Sequence, residues 1–272
     1  MIKPYYETKL GKLYHGDCLE IMPELELESV NLVLTDPPYG NITPCKWDKT
    51  VPLHSLWTIY KKIIKKDSII VLTAQQPLTS KLVISNIEMF RYEWIWDKYI
   101  PRGMHQAKYQ PTRKHESVLI FSQIYPGKYF PIKIKLNKPV IVKNYTKNSK
   151  SIGPYKNNSK EYTYVDKYPN SIILNKWEAN AKKVHATQKP ISLFEYLIKT
   201  YTDKNNDLIL DNFIGSGTTA IACERLKRKW IGIEIEEKYC EIAAKRIEEN
   251  LTVPERIDRC EKGITKKTTL LF

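Results

Sequence analysis

The carboxyl-terminal third of the chain carries the pattern that most restricts its fold. Asp207-Leu208-Ile209-Leu210-Asp211 reads as a buried strand, Asn212-Phe213-Ile214-Gly215-Ser216-Gly217 as a turn, and Thr218 to Lys227 as a helix. Trp230-Ile231-Gly232-Ile233-Glu234 is a second strand and Lys238 to Leu251 a second helix. Gly215-Ser216-Gly217-Thr218-Thr219-Ala220 satisfies a G-x-G-x-x-A pattern. Such glycines let a ligand approach the backbone, and Glu234 at the next strand end has the chemistry to hold ribose hydroxyls. The plainer reading of Glu234 is a solvated strand end. Half of a nucleotide-binding sheet needs three strands and two helices, yet only about twenty unpatterned residues follow the helix 238–251. The third strand can come only from the amino terminus. There, a short strand in Gly11 to Leu19 closes in a turn at Gly16-Asp17 and leads to a second strand ending at Asp36. The chain reads as a circular permutation, with its nucleotide half last.

The strand before Asp36, Val30-Asn31-Leu32-Val33-Leu34, has four apolar, β-prone residues in five. Thr35-Asp36-Pro37-Pro38-Tyr39-Gly40 ends it abruptly, because two successive prolines offer no amide hydrogen and fix φ. An acid, an imide backbone and an aromatic ring are thus presented at a carboxyl edge, where open α/β sheets bind ligands. An Asp-Pro turn with a surface tyrosine is the plain alternative. The permutation decides between them, because it sets this edge beside Gly215 and Gly217 in one sheet.

Between these ends strands and helices alternate, which implies a mainly parallel sheet covered on both faces. Residues 53–66 and Pro77 to Met89 read as helices; Ser68 to Ala74, Arg91 to Lys98 and Glu116 to Ser122 read as strands, and Ile191 to Tyr201 as a helix. Tyr99 to His115 is a basic loop. No run of about 18 apolar residues suits a membrane span, and the amino terminus lacks an apolar targeting core, so a cytoplasmic protein is expected. Five widely spaced cysteines form no C-x-x-C pair, so free thiols and no metal site are expected. Cys45, in Pro44-Cys45, reads as structural.

The formal charge of +14 points to a polyanion. Lys128 to Lys189 hold fourteen lysines against three acids, a net +11, interleaved with tyrosines, Trp177 and asparagines. Lysines neutralise phosphates, while asparagine and aromatic side chains contact base edges and faces. A solvated, partly disordered insertion is the alternative for this stretch.

At these motifs the sequence resembles the DNA amino-methyltransferases that use S-adenosylmethionine, in the order of their β group. The motifs carrying the resemblance are Asp36-Pro37-Pro38-Tyr39, His185-Ala186-Thr187-Gln188-Lys189-Pro190, Asp211-Asn212-Phe213-Ile214-Gly215-Ser216-Gly217 and Glu234. Asn212 departs from the proline of many relatives, which leaves room for a looser turn. The resemblance implies a Rossmann-like class I methyltransferase fold, α/β and circularly permuted, with a mainly parallel seven-stranded sheet. The implied domains are a catalytic half over 1–124, a target-recognition insertion over 125–183, a cofactor half over 184–252 and a basic tail over 253–272.

The resemblance further implies that Asp36, Pro37, Pro38 and Tyr39 act on the target base. Asp17, Asp36, His185, Thr187, Lys189, Asp211, Phe213, Gly215, Ser216, Gly217, Thr218 and Glu234 would hold S-adenosylmethionine, with Asp17 on its adenine amino group; a turn former is the other reading of Asp17. Arg102, Lys108, Arg113, Lys114, Lys143 and Lys147 are the expected contacts to double-stranded DNA. His115-Glu116 resembles the family's start of a strand, and on its own reads as structural. The implied reaction is transfer to adenine N6 by an adenine-specific DNA methyltransferase, because Asp36 stands where N4-cytosine relatives more often carry serine. Cytosine N4 stays open, as do an NAD-dependent oxidoreductase, a non-enzymatic DNA-binding protein and an RNA substrate. A homodimer and a companion restriction endonuclease are expected by analogy alone.

Overall fold

The computed structural model describes residues 2–40, 51–143, 161–174, 188–203 and 206–251. Two compact units emerge, one formed by 1–130 with 171–272 and the other by Pro131–Asn170.

The larger unit is a nine-stranded mixed sheet. In chain order its elements are β1 (Tyr6–Glu7), β2 (Gly11–His15), α1 (Cys18–Ile21), β3 (Val30–Thr35), α2 (Leu53–Ile63), β4 (Ile64–Ala74), α3 (Leu78–Ser85), β5 (Phe90–Arg102) and β6 (Arg113–Ser122). The smaller unit contains β7 (Ile134–Lys143) and β8 (Glu161–Lys167). The larger one resumes with β9 (Ile172–Leu174), α4 (Ile191–Tyr201), β10 (Leu208–Asp211), α5 (Thr218–Leu226), β11 (Lys229–Glu234) and α6 (Glu237–Asn250). The strand order is β1-β2-β11-β10-β3-β4-β6-β5-β9. Seven of these strands form the expected sheet, and the count of seven is corrected at both edges. Tyr6 pairs with Leu13 in an amino-terminal hairpin, and Ile172 to Leu174 lie parallel to Ile95 to Asp97.

The permutation is visible in the pairing. β2 lies parallel to β11, with Trp230 opposite Gly11 and Glu234 opposite His15. β10 is parallel to β11 on one side and to β3 on the other, with Leu210 opposite Val33. From β10 the chain steps through α5 to β11, and from β3 through α2 to β4 in the opposite direction. The β3/β10 boundary is therefore the topological switch point, where α/β sheets open a crevice at the carboxyl ends of their strands.

Alternation along β3 explains why both faces are covered. Leu32 and Leu34 pack into one core with Leu193, Phe194 and Leu197 of α4, with α5, and with Ala243 and Ile247 of α6. Val33 packs into the other with Leu56, Trp57, Tyr60 and Ile63 of α2 and Leu82 of α3, and Val30 joins it across a register shift between Val30 and Leu32. The spacing of the four α2 residues puts them on one helical face, and burying each contributes about 1.5–3 kcal/mol. Close contacts are made by two glycines. A Cβ at Gly11 would stand 2.3 Å from the Trp230 ring, and one at Gly232 would stand 2.2 Å from Ile214 Cδ1.

The basic loop expected between β5 and β6 is shorter than Tyr99 to His115, because β5 runs on to Arg102 and β6 begins at Arg113. Of the segment 125–183, residues up to Phe130 belong to the larger unit: the Lys128 amide donates to Asp67 O (3.1 Å) and the Phe130 amide to Thr200 O (2.7 Å). The smaller unit is the antiparallel β7/β8 ladder, in which Val140 faces Tyr164 and Val142 faces Tyr162. Lys133 pairs with Asp166 (3.1 Å) and lies over the Tyr168 ring. Among the described residues, Cys18, Cys223 and Cys240 are buried free thiols, no helix is long and apolar enough to cross a membrane, and no cluster suits a metal ion.

Candidate active site

A single cleft gathers most of the residues singled out in the sequence. Asp36, Pro37, Pro38 and Tyr39 from the end of β3 line it with Gln188 and Lys189 ahead of α4. Asp211, Phe213, Ile214, Gly215, Ser216 and Thr218 contribute from the turn after β10, and Glu234 and Ile235 from the end of β11. It encloses about 960 Å³ of atom-free space, its open mouth included.

The turn after β10 is held open by its glycines and by carboxylates beneath it. Gly215 and Gly217 have φ of +51° and +83°, where a side chain is strained. Among the described residues the only neighbour within 4 Å of a Cβ at Gly215 is Phe213 O, so the cleft wall stays clear of them there; a Cβ at Gly217 would meet Ala243 at 3.0 Å. Glu234 accepts the Gly215 amide on Oε2 (2.8 Å) and the Glu236 amide on Oε1 (3.0 Å). Burial raises its pKa. From α6, Arg246 donates to the Ser216 carbonyl and to Ser216 Oγ (2.8 Å).

Asp211 lies deeper. Its Oδ1 accepts Thr35 Oγ1 (2.6 Å) and the Phe213 amide (3.1 Å), and its Oδ2 accepts the Thr219 hydroxyl. All three donors are neutral, and burial pushes its carboxyl up to about 7. Asn212 does not loosen the turn. Its side chain is buried, its Oδ1 accepts the Tyr60 hydroxyl (2.6 Å), and its Nδ2 lies 3.7 Å from Cys18 Sγ.

Asp36 is an acid of the cleft with a charged donor among its contacts. Oδ1 accepts the Thr73 hydroxyl from β4 and the Tyr39 hydroxyl (3.2 Å); Oδ2 receives the Lys189 ammonium at 2.5 Å. Lys189 also sits 3.4 Å from Tyr39 OH, 3.4 Å from Glu116 Oε2 and 5.7 Å from the Tyr39 ring centre. Burial opposes the charge on Lys189, but Asp36, Tyr39 and Glu116 overcome it and hold its pKa well above the ordinary lysine value. Glu116 follows the same logic with opposite sign. Burial resists its charge, yet Lys189 and then Lys98 keep its carboxyl below the usual range.

Other expected contacts lie elsewhere. Asp17 is not on the cleft lining; it caps α1, accepting the Leu19 amide on Oδ1 (2.8 Å). It nevertheless follows Gly16, whose amide donates to Glu234 O (2.9 Å), so it stands at the edge next to Glu234. Gly217 is also absent from the lining and packs on α6 instead. His185, Thr187 and Lys147 lie outside the described residues, as does Cys45. Lys143 ends β7. Arg102 and Lys108 are exposed, Arg113 donates to Gln75 Oε1 (3.0 Å), and Lys114 pairs with Asp97 (3.2 Å). Several residues of the site are not singled out in the sequence: Thr35, Gln188 and Thr219 lie within the quoted motifs without an assigned role, and Thr73, Phe194, Lys98 and Tyr239 stand in no motif. The positions of Thr35 and Thr73 at the ends of adjacent strands are the only sequence signal for those two.

Residues 30–245 match the profile of the N6 and N4 methyltransferase family, described as DNA methylase. The chain belongs to this family. The oxidoreductase alternative is set aside by that membership. Among curated relatives, the Type II methyltransferase M.HpaI of Haemophilus parainfluenzae is 25% identical over 93% of this chain and 81% of its own length. The Type II methyltransferase M2.LlaDCHI of Lactococcus lactis subsp. cremoris is 28% identical over 93% and 94%. The solved structure of the PvuII DNA methyltransferase, cytosine-N4-specific, superposes with a TM-score of 0.66 over 98% of this chain and 96% of its own, at 22% identity. An M1.HpyAVI–SAM complex gives 0.57 over 87% and 100%, at 27% identity. The class I methyltransferase fold implied by the motifs is the fold observed.

Proposed function

We propose that the protein transfers a methyl group from S-adenosylmethionine to the N6 amino group of adenine in duplex DNA, acting directly on a flipped-out base. The observation that carries this reading is the shared cleft, in which the carboxylate of Asp36 and the glycine turn flanked by Asp211 and Glu234 line one space. The residues fit the cofactor. Glu234 has carboxylate lone pairs left for ribose hydroxyls, Gly215 leaves the wall clear, and Phe213, Ile214, Ile235 and Tyr239 supply apolar and aromatic walls. When bound, S-adenosylmethionine supplies an electrophilic methyl on its sulfonium.

The residues of this chain then have a narrow task. An exocyclic amino nitrogen is a poor nucleophile because its lone pair is delocalised into the ring. Hydrogen bonds accepted from its N–H groups by the Asp36 carboxylate and the Pro37 carbonyl localise that pair on nitrogen. Catalysis is by positioning and electrostatics, without a covalent enzyme intermediate and without a cysteine. Thr73 and Tyr39 fix the Asp36 carboxylate for this purpose. A base in a duplex cannot reach such a cleft unless it leaves the stack, and the Tyr39 ring is the surface proposed to receive it.

Duplex DNA is the proposed partner of the β7/β8 unit. A two-stranded ladder is marginal alone. This one exposes Val140, Ile141, Tyr162, Tyr164 and Val165 among lysines, a surface suited to phosphates and base faces. A Type II context, with a companion endonuclease, is proposed from the relatives' names. Adenine is proposed over cytosine because an aspartate leads Asp36-Pro37-Pro38-Tyr39. The test is to methylate unmodified DNA, digest it to nucleosides and identify the product by mass. N6-methyladenine is expected, and N4-methylcytosine alone overturns the choice of base.

A further inference from the structure

Both oxygens of Asp36 already hold donors. Oδ1 has two neutral ones, Thr73 and Tyr39, while Oδ2 carries the ammonium of Lys189 at 2.5 Å. An ammonium bonded this closely draws negative charge from the carboxylate, and so weakens the acceptor that an amino group would need. Lys189 is buried, with a side chain 6% exposed, and cannot retreat into water. Among the described residues one other carboxylate stands within reach. Glu116 Oε2 lies 3.4 Å from Lys189 Nζ, is itself buried, and accepts no hydrogen bond from the described residues. The rest of Glu116 is tied down, for its Oε1 takes the Lys98 ammonium from β5 and Gln75 Nε2 (2.7 Å) from the residue after β4. Arg113 in turn holds Gln75. Four charges of alternating sign, Asp36, Lys189, Glu116 and Lys98, thus form a chain in which Glu116 Oε2, without a hydrogen bond among the described residues, faces the lysine.

We propose that Glu116 is a positioning residue for methyl transfer, the second seat to which the Lys189 ammonium moves when the Asp36 carboxylate engages the target amino group. The idea rests on the reading of Asp36 given above. No bond is made or broken in the step; an ammonium exchanges one carboxylate for another, and the net charge of the cluster is unchanged. The alternative is a buried ion network that only supports the fold, and such networks are weak contributors to stability. That role would not separate turnover from binding.

The experiment uses the full chain and its Glu116→Gln variant, with tritiated S-adenosylmethionine and genomic DNA from a methylation-free host. Turnover (kcat) is expected to fall about ten- to a hundredfold, with KM for DNA and Kd for the cofactor unchanged within about twofold. A kcat within about twofold of the parent, or a loss appearing in KM and Kd, overturns the proposal. Asp36→Asn, run alongside, separates the two layers. If it keeps its turnover, the reading of Asp36 fails; if it loses turnover while Glu116→Gln does not, only the role of Glu116 fails. Should Glu116→Gln not fold, the structure of the parent protein with sinefungin and a duplex bearing its mapped site decides. Lys189 Nζ within hydrogen-bond distance of Glu116 Oε2 supports the exchange, and Nζ still seated on Asp36 Oδ2 refutes it.

Discussion

Asp211 offers the sharpest physical test, because among the described residues its surroundings contain three hydrogen-bond donors and no cation partner. Burial raises its pKa from 3.8 to about 7. The folded chain therefore binds a proton that the unfolded chain has already released, and stability must fall as pH rises between those two values. The contribution is most favourable below the unfolded pKa and is lost as pH climbs through about 7. At about 1.36 kcal/mol per unit, the stability lost through the raised Asp211 pKa grows by about 2 kcal/mol between roughly pH 5.5 and pH 8, levelling off above about 7. Asp211→Asn removes the titration and preserves the shape. An amide oxygen at the Oδ1 position still accepts Thr35 and the Phe213 amide, and its nitrogen donates to the Thr219 hydroxyl. Urea denaturation of both proteins across that range isolates the effect as a difference of differences. The variant should gain on the parent by about 2 kcal/mol as the solution becomes alkaline. A gap between the two that does not change with pH would show that Asp211 is ionised throughout and refute the reasoning.

The same cleft yields further tests. Asp36→Ala should abolish methyl transfer while calorimetry still detects S-adenosylmethionine binding; unchanged turnover removes Asp36 from the reaction. Gly217→Ala forces a Cβ to 3.0 Å from Ala243 at a φ of +83°, and should lower stability by about 1–3 kcal/mol in thermal melts. Glu234→Gln should weaken cofactor binding about tenfold, a loss of roughly 1.4 kcal/mol, with kcat at saturation much less affected. Replacing Lys133, Lys135 and Lys138 together by alanine should lower the slope of log affinity for duplex DNA against log salt, by about 0.9 for each phosphate that is no longer neutralised. An unaltered slope would place the DNA surface elsewhere.

The fold is legible in the sequence because its signals are local and repeated. The α4 helix has the bounds read from Leu193, Phe194, Leu197 and Ile198, since an apolar stripe at helical spacing has one way to be buried. The sheet's edges are less legible. β1 and β9 are two and three residues long, and such short runs carry no period; only their partners in the ladder define them. The same contrast governs the site. Glycines and successive prolines announce themselves because few other residues tolerate their backbone. Thr35 and Thr73 do not, for a threonine in a strand is ordinary; the pairing of β3 with β10 brings Thr35 to Asp211, and that of β3 with β4 brings Thr73 to Asp36. Glu116 reads as structural in the sequence for a like reason: its partners come from β5, the end of β4 and the segment before α4, and none is near it along the chain.

The departure at Asn212 shows how tertiary contacts replace a missing local constraint. A proline there would stiffen the turn through its ring, by fixing φ. Asparagine leaves φ free, yet its side chain reaches into the core beneath α2, where Tyr60 donates to it at 2.6 Å and Cys18 lies on its other side. Tyr60 is itself fully buried, and burial raises its pKa well above the ordinary value, so it remains a donor at any pH the fold survives. The turn that carries Gly215 is thereby tied to α2, the helix that joins β3 to β4, and thus to the strand end bearing Asp36. The two halves of the cleft are linked by a hydrogen bond that a prolyl turn could not make. Tyr60→Phe should accordingly leave Asn212 Oδ1 buried without its donor at a cost of about 1–3 kcal/mol. It should weaken cofactor binding as well, because the glycine turn loses its anchor. A variant with full stability and unchanged affinity would mean that the backbone alone, through Gly215 and Gly217, holds the turn.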